Sequence, residues 1–324
     1  MNSSTLKTIA PRKSVFVAAA ALACLSLAAC GGASASGETF TASTAATGIK
    51  AAKWGKNVTV TYSATKVRVK ANGIPNHSRD AKYAVPNAGI VVPNASTARI
   101  ANDPTKANAF DYSIPLKPTW STTTTATPLG SIGPMISGSV LFNPYEGDGS
   151  TVAMASNFSL TGSNGSKVWF VDACSGHPTP SPSGLYHYHA LPSCVASQVD
   201  TSTGPSHIIG VAFDGYPIYG ERDIRGKTVS PSSLDRCNGI RSATPEFPSG
   251  TYHYVLTSAK SARSSIRCFH GKVDSSLLTK MPNMGGGGPP PGGGPPAAAI
   301  SSVGVQALAR SATSTLFCHL GSVL

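Results

Sequence analysis

Two stretches of this chain carry the same anchors in the same order, and that repetition limits the fold more than any other feature. Gly133-Pro134-Met135-Ile136-Ser137-Gly138-Ser139-Val140-Leu141-Phe142 resembles Gly210-Val211-Ala212-Phe213-Asp214-Gly215-Tyr216-Pro217-Ile218-Tyr219, 77 residues further on (133 to 210). Cys174-Ser175-Gly176-His177 resembles Cys237-Asn238-Gly239-Ile240, and Gly184-Leu185-Tyr186-His187-Tyr188-His189 resembles Gly250-Thr251-Tyr252-His253-Tyr254-Val255. A further cysteine closes each stretch, Cys194 in the first and Cys268 in the second. Units of this kind bury a common core by packing on one another. The reading is a mostly β fold: a single domain of two related, duplicated units, about 130–194 and 207–268, stapled by disulfides. Each cysteine pair that brackets a unit, Cys174–Cys194 and Cys237–Cys268, is expected to be bonded.

Composition supports few helices. The chain has 33 glycines and 25 prolines among 324 residues, and both residue types break helices. The hydrophobic fraction of 40% is enough for a packed core and argues against wholesale disorder. Period-two alternation predicts strands at Val58–Tyr62 and Lys66–Lys70. Further strands are expected over Gly138–Phe142, Lys167–Val171, Leu185–Ala190, Ile208–Phe213 and Thr251–Leu256. The Pro-, Thr- and Asn-rich span of about 75–130 reads as extended loops and edge strands lying over the core, because proline is confined to sheet edges and bulges. From about 281 the sequence becomes a Gly/Pro-rich low-complexity tail to residue 324, with a weak helix candidate at Ala297–Thr315. The globular domain is therefore placed at 51–280.

The first 29 residues read as an address. Lys7, Arg12 and Lys13 open it without an acidic residue, and an apolar run from Val15 to Ala29 follows, too short to span a bilayer as a helix of about 20 residues. The run ends Leu27-Ala28-Ala29-Cys30, which resembles the bacterial lipobox. That resemblance implies lipidation of Cys30 and anchoring in a lipid bilayer, with Gly31 favouring the outer membrane and the domain facing the periplasm or the surface. Cleavage near Ala33-Ser34-Ala35 would instead leave a soluble periplasmic or secreted protein. Residues 30–50, rich in Ala, Ser, Thr and Gly, read as a flexible tether. Loss of the three leader charges takes the formal net charge from +12 to +9. The remaining basic residues are scattered, so nucleic acid is not expected as a partner. An exported chain meets an oxidising compartment, and its five remaining cysteines leave one over, assigned here to Cys318.

The chemistry concentrates at Tyr186-His187-Tyr188-His189. On a strand His187 and His189 share one face, and Tyr186 and Tyr188 share the other. Two imidazoles on one face can converge on an ion, since Zn–N bonds are about 2.0–2.1 Å and copper has similar reach. His177 lies on a turn-rich stretch that a hairpin returns to the same place, completing a three-His set for copper or zinc. Asp172 and Asp214 are candidate acceptors behind the imidazoles, with His253 as a further candidate from the second unit, and His77 is an isolated possible ligand. Two metal-free readings stand beside this one: a hydrogen-bonded Tyr-His ladder inside the core, and an acid/base or ligand-binding His site. In the second unit Ile240 and Val255 stand where the first has His177 and His189, so that unit cannot build the same site from itself.

Taken together, Asp172-Ala173-Cys174-Ser175-Gly176-His177, Tyr186-His187-Tyr188-His189-Ala190, Ala212-Phe213-Asp214-Gly215-Tyr216-Pro217-Ile218-Tyr219-Gly220 and Leu234-Asp235-Arg236-Cys237-Asn238-Gly239 resemble the YHYH-domain family of exported proteins. The resemblance covers about 70–275. It implies a secreted or lipid-anchored domain with paired cysteines and histidine-rich strands, and it implies no particular reaction. The chain departs from the family pattern at Ile240 and Val255, where members usually carry His. The function expected is that of a cell-envelope lipoprotein binding copper or zinc. Its alternatives are a metal-dependent hydrolase or oxidase using the same histidines, and a metal-free surface adhesion or assembly protein.

Overall fold

The computed structural model describes residues 47–278. The expected leader, Cys30, the tether up to residue 46, and the tail with its helix candidate and Cys318 lie outside the described residues. Residues 47–50 form a helical turn, and Ile49 is buried in the main core.

The domain is mostly β. Its helices among the described residues are short turns: 47–50, Ser193–Ala196, the 3₁₀ turn Pro231–Ser233, and Ser275–Leu278. None of them is long and apolar enough to cross a membrane. Strands β1 (Thr59–Tyr62) and β2 (Lys66–Ala71) form where alternation was read, with Val67 and Val69 fully buried and Arg68 and Lys70 pointing to water. Strand β3 (Lys82–Pro86) pairs antiparallel with β4 (Ala98–Asn102). Strand β5 (Phe110–Pro115) pairs with β2, setting Ile114 opposite Val67 and Tyr112 opposite Val69.

The span of 75–130 is thus more than a covering. Tyr83, Val85, Tyr112, Ile114 and Leu116 all belong to the main core. Prolines fall at strand ends (Pro86, Pro115), which leaves the interiors free to make ladders. Strand β6 (Trp120–Ala126) pairs with the last strand, and β9 (Ser159–Thr161) forms a separate hairpin with β10 (Lys167–Trp169).

Two four-stranded sheets make the centre. The first contains β7 (Ser131–Pro134), β8 (Val140–Phe142), β11 (Gly176–Pro178) and β12 (Tyr186–Tyr188), in the order β11-β12-β8-β7. The second contains β13 (Ile208–Val211), β14 (Pro217–Tyr219), β15 (Gly239–Thr244) and β16 (Phe247–Val255), in the order β15-β16-β14-β13. Strand β17 (Cys268–Gly271) then returns to β6. Strand sense and register agree between the two sheets. Tyr188 lies beside Leu141 in parallel pairing, as Tyr254 lies beside Ile218, and His177 faces His187 as Ile240 faces His253. The two sheets are therefore equivalent in topology and register.

The sheets meet edge to edge. The Ile136 N–H donates to the Ile209 carbonyl, and the Phe213 N–H donates to the Ile132 carbonyl. The donor moves up by 77 (136 to 213) while the acceptor moves down by 77 (209 to 132), so the two units exchange donor and acceptor roles, the signature of a local two-fold relation. Gly133 and Gly210 sit at this crossing. A Cβ on Gly133 would run into the Val211 carbonyl, and one on Gly210 would lie 2.7 Å from the Met135 sulfur and 2.9 Å from the Pro134 carbonyl. The repeated glycine is therefore a requirement of close backbone approach.

The disulfides join Cys174 to Cys194 and Cys237 to Cys268, with Cα separations of 5.6 and 4.7 Å. Each ties the turn entering one sheet to the segment leaving it.

The junction can be tested by substitution. Gly133→Ala should cost about 3 kcal/mol or more, because the clash is with backbone that cannot turn away. Gly165→Ala should cost only about 1–2 kcal/mol, the price of its left-handed φ of +79°, since nothing lies within 4 Å of the added carbon. Urea denaturation midpoints measure both. Equal losses would show that the edge contact does not hold the sheets together.

Candidate metal centre

Three imidazoles meet on one face of the first sheet. His177 on β11 lies directly across from His187 on β12, and His189 follows β12 by one residue. Alternation does the rest, placing all three side chains on the same side. Exposure is 5%, 3% and 2% for His177, His187 and His189, so the cluster is closed to solvent. Its ligand atoms lie within 4.8 Å of one another. Aromatic walls enclose it: Phe142 stacks on His187 with ring centroids 3.9 Å apart, and Phe170 lies 4.3 Å from His177.

The hydrogen bonds determine which nitrogens are free. Nδ1 of His187 is 3.1 Å from the Leu185 carbonyl, and Nδ1 of His189 is 2.7 Å from the Asn143 carbonyl. A carbonyl only accepts, so each Nδ1 carries the proton and each Nε2 presents a lone pair. Those two Nε2 atoms face one another at 3.0 Å. Neither ring nitrogen of His177 has a hydrogen-bond partner, although both are buried. Burial, reinforced by the neighbouring imidazoles, holds His177 and His187 well below the usual histidine range. Burial likewise pushes His189 down to about 4. The three rings are therefore neutral at physiological pH. The cluster gathers unshielded lone pairs in an apolar pocket, an arrangement that a cation would relieve.

The carboxylates behave differently from expectation. Asp172 and Asp214 do not stand behind the imidazoles, whose acceptors are the main-chain carbonyls of Leu185 and Asn143. Asp172 lies on the tyrosine side of the strand, where its Oδ2 accepts from Tyr186 at 2.7 Å and Tyr83 at 2.8 Å. Its Oδ1 accepts from the backbone N–H groups of Cys174 and Gly176. Asp214 accepts from the Tyr254 hydroxyl at 2.6 Å and from the Gly271 N–H, and burial lifts its pKa to about 6 against those donors. The cause is the same alternation that assembles the histidines: a residue serving Tyr186 cannot also reach the opposite face.

His253 occupies the place of His187 in the second sheet. Its Nδ1 meets the Thr251 carbonyl at 3.2 Å, and its ring packs on Tyr219 as His187 packs on Phe142. It does not join the first cluster. Ile240 and Val255 stand where the other two imidazoles would be, and a small cavity bordered by Tyr219, Thr244, His253 and Val255 occupies that side of the sheet. His77, an isolated candidate in the sequence, lies instead against Cys174 and Tyr188 on the tyrosine side. Sequence reasoning missed Phe142, Phe170 and Asn143. Phe142 was within reach, as the partner of Tyr219 in the repeat; a carbonyl acceptor leaves no mark on residue identity.

Two other groups of potential ligands exist among the described residues: His77 with Cys174 and Cys194, and Asp235 with Cys237 and His270. Their cysteines are in disulfides, whose sulfurs have no thiolate to offer.

The buried His253 makes a pH prediction. Burial lowers its pKa to about 4 in the folded chain, while the unfolded chain takes the proton near 6.5. The unfolded state then binds more protons between those values, so this residue costs stability as pH falls through that window. From pH 7 to pH 5 the cost is roughly 2 kcal/mol. His253→Gln should therefore lose about that much less than the wild type over the same interval, as read from unfolding free energies at the two pH values. An equal loss in both proteins would rule out a buried neutral His253.

Residues 111–228 and 221–271 match the family described as YHYH protein. No curated protein and no solved structure matches the chain. The two matched stretches run from β5 to β17 and contain both central sheets, the tyrosine-carboxylate turns and the buried histidines. On that match the chain belongs to the YHYH family.

Proposed function

We propose that this protein is a cell-envelope lipoprotein that holds one copper or zinc ion through His177, His187 and His189. The observation that carries the proposal is the pair of Nε2 lone pairs facing at 3.0 Å, with both Nδ1 protons committed to main-chain carbonyls. Without a cation that geometry is repulsive. In a Tyr-His ladder, the structural alternative, each imidazole would use both nitrogens; His177 uses neither. The donor spacing also suits the chemistry. Metal–nitrogen bonds of about 2.0–2.1 Å in a tetrahedral arrangement set nitrogens about 3.3 Å apart. The ligand atoms here lie between 3.0 and 4.8 Å of one another, close enough for small side-chain rotations to complete the site.

Burial favours holding over turnover. A catalytic site keeps an open coordination position and a path for substrate. Exposures of 5%, 3% and 2%, with phenylalanine walls, support storage, sensing or a structural ion rather than a hydrolase or oxidase. The envelope placement rests on Leu27-Ala28-Ala29-Cys30 and the basic, apolar leader before it, with the bilayer as partner through a lipid on Cys30.

Calorimetric titration of the purified protein with copper and with zinc tests the reading. His177→Ala, His187→Ala and His189→Ala should each weaken binding by about tenfold or more, since even partners behind a metal ligand are worth that much. Val255→His, on the other sheet, should leave this site unchanged. If the triple-alanine protein binds as tightly as wild type, or if wild type binds neither ion, the cluster is not a metal site.

A further inference from the structure

The strand that carries the imidazoles on one face carries a second set of donors behind the other. His77 Nε2 lies 3.5 Å from Cys174 Sγ, and the ligand atoms of His77, Cys174 and Cys194 all fall within 4.8 Å of one another. We propose that Cys174, Cys194 and His77 form a redox-gated metal site, which appears when the Cys174–Cys194 disulfide is reduced and which takes a soft ion such as Cu(I). This site is separate from the three-His cluster and does not depend on it.

The nitrogen is already prepared. His77 Nδ1 is 2.8 Å from the Ser78 carbonyl, so the proton sits on Nδ1 and Nε2 presents its lone pair. That lone pair now accepts from the Tyr188 hydroxyl at 2.7 Å. Tyr188 has a second partner in Ser137 Oγ at 2.9 Å, so it can release His77 without being left unpaired. His77 and Cys194 are both half-buried, which gives a reductant and an ion a way in, whereas Cys174 is 3% exposed. Reduction balances as a two-electron exchange. A dithiol donor breaks the S–S bond, becomes a disulfide itself, and leaves Cys174 and Cys194 as thiols carrying its two protons. A bound ion then displaces those protons, because thiolate is the ligand. Two thiolates and one imidazole select soft ions over hard ones.

The second disulfide supplies an internal control. Its nearest histidine, His270, is engaged. His270 Nε2 lies 3.1 Å from Asp235 Oδ2, and its ring stacks on Trp120 at 4.3 Å. Only Cys237 of that pair falls within ligand distance of it, and Cys237 is fully buried.

Cobalt(II) is the probe, since its thiolate charge-transfer band reports sulfur ligands and is silent for imidazole alone. The full chain carrying Cys24→Ser, Cys30→Ser and Cys318→Ser, which leaves the four disulfide cysteines as its only native thiols, is reduced with a phosphine and titrated anaerobically. The band should appear only after reduction. His77→Ala should weaken the cobalt affinity read from it by about tenfold or more, with His270→Ala unchanged. His77→Cys should restore the band, which a merely structural effect of His77 would not allow. The proposal fails if reduction produces no band, if His77→Ala leaves the affinity unaltered, if His270→Ala matches its effect, or if His77→Cys does not rescue.

Discussion

Everything at the site rests on one carboxylate that never touches it. Asp172 accepts two tyrosine hydroxyls on one oxygen and two backbone N–H groups on the other. Its own N–H donates to the Gly176 carbonyl, which closes the turn from both ends. The turn places Ser175 at φ +60°, a conformation that most side chains resist and that these bonds over-determine. Charge-assisted bonds of this kind are the strong ones, and removing the acceptor would strand two buried hydroxyls. From the turn the chain enters β11 in the only register that sets His177 across from His187 and Cys174 within reach of Cys194.

The second sheet repeats the device and omits the cluster. Asp235 accepts from Tyr252 and from the N–H groups of Cys237 and Gly239, and Asn238 sits at φ +68°. The glycine of each Cys-x-Gly turn is required by the tyrosine: a Cβ on Gly176 would lie 2.5 Å from the Tyr186 oxygen, and one on Gly239 would overlap the Tyr252 ring. So the tyrosine face, with its carboxylate, glycine and disulfide, builds the sheet in both units, while the histidine face varies. Ile240 and Val255 fill the second unit with aliphatic side chains without disturbing the strands. Scaffold and chemistry sit on opposite faces of the same three-residue strand, and the period of two keeps them independent.

That separation explains what could be read from residues alone. Repeated anchors, alternation and bracketing cysteines are local signals. They were enough for the β class, for the His177, His187 and His189 grouping, and for the two cysteine pairs. The roles of Asp172 and Asp214 were not local. Both aspartates lie within a few residues of the repeated motifs, and only the strand geometry shows that their partners are Tyr83, Tyr186 and Tyr254. Tyr83 is 89 positions from Asp172, inside a stretch whose prolines and asparagines hide its buried strands. His77 is further still from Cys174 and Cys194, and nothing in its own neighbourhood of residues points to sulfur.

Strand β12 is then a partition. On one side, neutral imidazoles are sealed among phenylalanines, where a borderline ion would be held by nitrogen and kept from water. On the other, a disulfide and a histidine lie nearer the surface, and its sulfurs would offer thiolates only after two electrons had arrived. Tyr188, whose backbone sits between His187 and His189, sends its hydroxyl to His77 and Ser137 on the far side. A change in how His77 is used therefore moves a hydrogen bond on the strand that presents the imidazoles, though it need not move the strand itself, because Ser137 keeps the hydroxyl anchored. The two sets of donors share a support and remain chemically distinct, nitrogen alone on one face and nitrogen with sulfur on the other.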